Sequence, residues 1–167
     1  TPCGTLFPYT TLFRSLENPP LHVVLFQPEI PANTGNIARL CGAAEITLHL
    51  IHPLGFRVDD RHLKRAGLDY WPEIDVRHHD DFAAYLESSG NAARIAFSRH
   101  AERLYTESDP ACGDHLLFGP ESRGLPPEIT GACACCRIPI WGRIRSLNLS
   151  TTVGIAVYHW LHAVGRF

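Results

Sequence analysis

The chain predicts an α/β fold, a mainly parallel sheet flanked by helices, and three observations carry that expectation. Short apolar runs alternate with stretches of helical periodicity. The runs are apolar on both parities, as strands covered on both faces are. Polar loops containing Gly and Pro follow the runs, which is where open parallel sheets bind their ligands.

Taken in order, Leu21 to Phe26 reads as the first strand. Ile37, Leu40, Cys41 and Ala44 then fall at i, i+3, i+4 and i+7, an amphipathic helix that Asn33 or Thr34 is placed to cap. Thr47 to Ile51 is a second strand, Asp59 to Arg65 a second helix, and Asp75 to His78 a weaker strand. Asp80 to Ser88 opens with acidic residues at the positive end of a helix dipole. Arg94 to Phe97, His115 to Phe118 and Cys135 to Ile138 complete the strands. The adjacent His78 and His79 are read as an exposed loop rather than a metal pair. The last helix, Leu149 to Ala163, has no wide polar stripe, so burial on more than one side is expected. A second copy of the chain is the simplest cover, giving a two-fold homodimer through this helix.

Composition narrows the class. With 167 residues, 45% of them hydrophobic and 19% charged, one domain is expected over residues 21–167. Residues 1–20 read as a non-native or disordered extension, and the chain contains no Met. No run reaches the ~20 apolar residues of a membrane helix, and the first sixteen residues make a poor signal peptide. A formal net charge of −2 gives no global attraction to nucleic acid. Every basic residue but Lys64 is an arginine, however, the side chain that grips phosphate with a planar fork. The six cysteines include Cys133, Cys135 and Cys136, but their spacing is not that of a structural zinc site. Reduced thiols in a cytoplasmic protein, without metal, are the expectation.

Three polar loops hold the chemistry: Asn33-Thr34-Gly35-Asn36-Ile37-Ala38-Arg39, Phe118-Gly119-Pro120-Glu121-Ser122-Arg123-Gly124-Leu125-Pro126, and Arg137-Ile138-Pro139-Ile140-Trp141-Gly142-Arg143-Ile144-Arg145-Ser146-Leu147-Asn148. Phe97-Ser98, Gly119-Pro120 and Ile138-Pro139-Ile140 follow predicted strands and are expected to meet around one pocket. Gly119 to Gly124 lacks the Lys-Ser/Thr of a phosphate loop, and Leu21 to Phe26 leads into no dinucleotide fingerprint. An organic ligand held largely by backbone groups is the remaining reading. Arg57, Arg61, Lys64 and Arg65 form a basic stretch suited to phosphate contacts.

These loops resemble the three motifs of the SPOUT superfamily, the trefoil-knotted RNA methyltransferases, over Leu21 to Phe167. Pro28 to Asn36, with Arg65-Ala66-Gly67-Leu68-Asp69-Tyr70, is similar to its TrmL-like branch, which methylates the ribose 2′-hydroxyl of the wobble cytidine or uridine of tRNA. The resemblance implies a C-terminal trefoil knot, S-adenosylmethionine as cofactor, a homodimer, and the tRNA anticodon stem-loop as partner. It maps the catalytic set onto Asn33, Arg39, Glu121, Ser146 and Asn148. Cofactor contacts fall on Phe97, Gly119, Ile138, Ser146 and Leu147, and RNA contacts on Arg57, Arg61, Arg65, Arg143 and Arg145. Trp141-Gly142-Arg143-Ile144 departs from the more polar stretch that relatives carry there. The chemistry asks for positioning and a proton acceptor, since transfer neutralises the charge of the donor. A guanidinium is a poor base, so Arg39 is expected to hold the hydroxyl and a neighbouring phosphate. Glu121 is expected to cap backbone N–H groups and order its loop. Methylation at another RNA site, and a non-catalytic RNA-binding homologue, are the alternatives.

Overall fold

Six parallel strands in the order β3-β2-β1-β5-β4-β6 form the centre of the protein. The structure is a computed structural model and describes residues 16–57 and 71–167. The strands are β1 (Leu21–Phe26), β2 (Thr47–Ile51), β3 (Val76–His79), β4 (Arg94–Phe97), β5 (Asp114–Phe118) and β6 (Ala134–Cys136). The helices are α1 (Pro31–Ala44), α2 (Phe82–Ser89), a single turn α3 (Pro127–Thr130) and α4 (Leu149–Ala163). The expected helix at Asp59 to Arg65 lies outside the described residues.

Strand parity sorts the side chains into two cores. Leu21, Val23 and Leu25 of β1 face α1 and α4, packing with Ile37, Cys41, Val153, Val157 and Trp160. Val24 faces the other way, onto Ile51, Tyr85, Leu117 and Ile129. Every residue of β2 and β5 is buried, the mark of central parallel strands. The strand order reverses between β1 and β5. The loops leaving their carboxyl ends therefore splay from neighbouring strands and open the crevice in which such sheets hold ligands.

Strand β3 is offset by one residue from the sequence reading and β5 starts one residue early, and three further differences have a local cause. Helix α1 begins at Pro31, with Ile30 as its N-cap and no cap bond from that side chain. Asn33 and Thr34 thus sit inside the first turn, because proline at the first helical position already fits the helical φ. Helix α2 starts two residues later than expected, because Asp81 is its cap and accepts from the Ala84 N–H at 2.8 Å. Strand β6 stops at Cys136. Arg137 instead bridges to Leu104, donating to the Arg103 carbonyl at 2.9 Å and accepting from the Tyr105 N–H at 3.0 Å.

The pair His78 and His79 lies in β3 rather than in a loop, and alternation sends the two rings to opposite faces. His78 meets His52, whereas His79 is buried and joins a chain of imidazoles. His49 bonds His22 through Nε2 and His79 through Nδ1, both at 2.9 Å. Ser88 Oγ spends its proton on the Tyr85 carbonyl, so towards His79 Nδ1 it accepts. The protons then run one way, from His22 to His49 to His79 to Ser88, with all three rings neutral. His115 stacks on His22 at 4.0 Å and bonds the Tyr85 hydroxyl at 2.8 Å. The nitrogens of His22, His49 and His115 lie within 4.8 Å of one another. The parallel stack keeps the in-plane lone pairs of His22 and His115 from converging on one ion, so we read the group as a polar core.

Candidate active site

The loops that leave β5, β4 and β6 enclose a cavity of about 650 Å³ at the carboxyl edge of the sheet. Phe97 and Ser98 come from the end of β4, Gly119 to Leu125 from the loop after β5, and Ile138, Ile140 and Arg145 to Leu149 from the segment before α4. All five expected cofactor contacts, Phe97, Gly119, Ile138, Ser146 and Leu147, line this one space. Phe97 is fixed by stacking on Phe118 at 4.8 Å.

Gly119 is required by its own loop. A Cβ there would overlap the backbone of Gly124 and Leu125. Added bulk at this position would push the loop apart before it met any ligand in the cavity.

One hydrogen-bond path ties the three motifs together. The Glu121 carboxylate accepts from the Glu29 N–H at 2.8 Å, the Ile30 N–H at 3.3 Å and the Asn33 Nδ2 at 2.9 Å. Asn33 Oδ1 accepts from Asn148 Nδ2 at 2.9 Å. Asn148 caps α4, its Oδ1 accepting from the N–H groups of Ser150 and Thr151 and from the Ser150 hydroxyl. Glu121 thus supplies the negative group that the start of α1 lacks locally, as its expected capping role requires. Asn33 is no cap; it is a relay whose amide donates to one motif and accepts from another.

A second lock runs the opposite way. Glu29 accepts from the Ser122 hydroxyl at 2.7 Å and the Ser122 N–H at 3.0 Å. These bonds, hydroxyl first, hold its carboxyl below the usual carboxylate range, with Arg123 adding to the effect. Arg123 also donates to Gln27 at 2.6 Å. Glu29, Gln27 and Arg123 went unread in the sequence. Their signal was the adjacency of β1 and β5, which pairing reveals and composition does not.

The remaining expected residues divide. Ser146 and Asn148 line the cavity with Asn33 and Glu121. Arg39 stands exposed on α1 and is not among the lining residues. Of the RNA contacts, Arg145 lines the cavity, Arg143 is exposed on the same loop, and Arg57 is exposed away from the cavity wall. Arg61, Lys64 and Arg65 lie outside the described residues. Arg99, Arg123 and Arg137 join Arg145 at the mouth, so the approach is cationic although the chain is not.

Burial makes the thiols of Cys41 and Cys136 poor nucleophiles, pushing Cys41 up and Cys136 to about 11. Cys135 Sγ donates to the Thr130 carbonyl at 3.2 Å.

Chemically, the cavity offers apolar walls from Phe97, Leu125, Ile138 and Leu147, and polar groups from the loop backbones and Ser146. Its volume suits a small organic ligand. The cradle fits an adenosyl group.

A family model described as the SpoU rRNA methylase family matches residues 20–158. A tRNA (cytidine(34)-2′-O)-methyltransferase of Yersinia pestis is 45% identical over 153 residues, covering 87% of this chain and 94% of its own. Its counterpart in Escherichia coli K12 is 42% identical over 148 residues, again 87% and 94%. A solved structure concerned with "2-OH methylation of C/U34 on tRNA" is 50% identical with a TM-score of 0.84, covering 88% of this chain and 97% of that one.

Proposed function

The chain belongs to the SpoU methylase family, and from that premise we propose that it methylates the ribose 2′-hydroxyl of the wobble cytidine or uridine of tRNA, using S-adenosylmethionine. The observation that carries this reading is the path Glu121–Asn33–Asn148, which fixes three loops around one adenosyl-sized cavity with a cationic mouth. Relatives named for that reaction align along nearly their whole length.

The cofactor supplies a sulfonium methyl group when bound. Phe97, Gly119, Ile138 and Leu147 are placed to hold its adenosyl moiety, and Ser146 to orient its polar end. Asn33 and Glu121 tie the loops to one another. Arg145 and its neighbours draw the anionic strand to the mouth.

Arg39 is assigned to the hydroxyl and its adjacent phosphate. Arg39 does not line the cavity of its own protomer, and a second protomer presenting its own α1 is the simplest way to bring it to the reacting atoms. We therefore include the homodimer in the reading, with the exposed ridge of α4 around Tyr158 as its contact. The anticodon stem-loop is the RNA element and the cytoplasm the compartment, where charged cofactor and tRNA coexist. Among the described residues no helix is long and apolar enough to cross a membrane.

The test is single-turnover methylation of tRNA, with the modified nucleotide located by mass spectrometry. The wild type is expected to modify position 34 alone. Arg39→Ala is expected to slow transfer roughly a hundredfold, equivalent to ~2.7 kcal/mol, with cofactor affinity unchanged. Arg39→Lys should rescue poorly, because a point charge lacks the guanidinium's fork. Near-normal transfer by Arg39→Ala would leave Arg39 without a catalytic role.

A further inference from the structure

The loop between Ile140 and Ser146 places its apolar side chains in solvent. Trp141 is 90% exposed and Ile144 75%, the two most exposed large hydrophobic residues among those described. Burying an indole is worth far more than leaving it in water, so this surface is shaped for an occupant. The neighbours of Trp141 say which kind. Arg143 and Arg145 flank Ile144 on the same loop, and Arg145 lines the cavity that Arg99, Arg123 and Arg137 also border. An exposed aromatic face among guanidinium groups matches a polyanion that carries flat rings of its own.

We propose that Trp141 is a stacking platform for an unpaired nucleobase next to the target nucleotide, with Arg143 and Arg145 gripping the flanking phosphates. The proposal rests on the RNA-methyltransferase reading above and deepens it, because it states what form of RNA this chain accepts. An indole stacks on a base only when the base face is open, so the loop selects single-stranded nucleotides over duplex. Ile144, also exposed on this loop, adds apolar surface beside the guanidinium groups. Trp141 is a positioning residue: it orients the strand and touches neither cofactor nor hydroxyl.

The experiment compares wild type, Trp141→Ala, Trp141→Phe and Arg143→Ala in steady-state methylation of an anticodon stem-loop, with light scattering and cofactor calorimetry on each. Trp141→Ala is expected to raise KM for RNA roughly tenfold, with kcat and cofactor affinity within about twofold of wild type. Trp141→Phe should recover most of the loss, since a smaller ring still stacks. The salt dependence of KM should be unaltered by Trp141→Ala, but shallower by about 0.7 in log–log slope for Arg143→Ala. Unchanged KM in Trp141→Ala overturns the proposal. So does a change in assembly state, which would assign the tryptophan to a second copy of the chain. If the wild type methylates an RNA other than the wobble position, the substrate reading fails while the same variant comparison on that RNA still decides the role of Trp141.

Discussion

Glu121 makes three hydrogen bonds to partners about ninety residues away, and its substitution separates charge from geometry. Glu121→Ala leaves the N–H groups of Glu29 and Ile30 and the Asn33 amide without an acceptor. A loss of roughly 2 kcal/mol in urea unfolding is expected, together with loss of methyl transfer. Glu121→Gln keeps one oxygen for Ile30 and Asn33 but turns an NH₂ group towards the Glu29 N–H. It should therefore recover at most half of the stability, a pattern that simple loss of a general base would not produce. At this scale the sequence was generous where a motif names its residues and silent where a partner comes from another loop. Asn33, Glu121, Ser146 and Asn148 were legible from the three motifs. The Glu29–Ser122 pair was not, because nothing local to Glu29 announces a hydroxyl that arrives with residue 122.

Helix α4 shows how an element can be legible in extent but not in orientation. Its span matches the expectation, and Asn148 caps it. Within its apolar surface Val157 is fully buried in the protomer core beside Ala156 and Trp160. Parity within a nearly all-apolar helix gives no hint of which side meets the sheet; only the packing of α1 against α4 decides it. Val157→Asp is accordingly a core lesion, expected to cost more than about 3 kcal/mol by burying an unpaired carboxylate. It should unfold or aggregate the protein whatever the assembly state. The informative change is Tyr158→Asp, because Tyr158 is half exposed and its ring meets that of Phe167 near the chain's end. Light scattering should show a folded monomer for this variant. An intact dimer would move the interface elsewhere.

Among the described residues two polar groups stand out at the scale of the molecule: the cationic cavity at one edge of the sheet and the imidazole chain on the α2 face. Burial lowers His22 to about 4 and His115 to about 3, with His49 depressed further and Arg77 adding to each shift. The folded state thus refuses protons that the unfolded chain accepts below its ordinary pKa of about 6.5. Stability from this source is complete above that pH and falls as pH drops towards the folded values. Urea midpoints at pH 8 and pH 5 should differ accordingly, and His22→Asn, which keeps a polar partner for His49, should flatten the difference. The loss of the Glu29–Ser122 lock follows only at lower pH, once Glu29 itself protonates. The sheet and the cavity were legible in the apolar runs and the loops that follow them. The histidine core was not, since single histidines scattered over four strands become one group only when register places them side by side.

The acceptor for the two amides just ahead of α1 belongs to a residue that the ribosome delivers 92 positions later than Glu29. Until that loop has closed, the lead-in to α1 lacks its acceptor and is free to fray. Frayed amides trade hydrogen for deuterium, whereas capped ones do not. The N–H groups of Glu29 and Ile30 therefore act as a clock on the cavity. Their exchange should slow when cofactor seals the loop and quicken whenever it swings open, so the state of the active site can be followed from outside it.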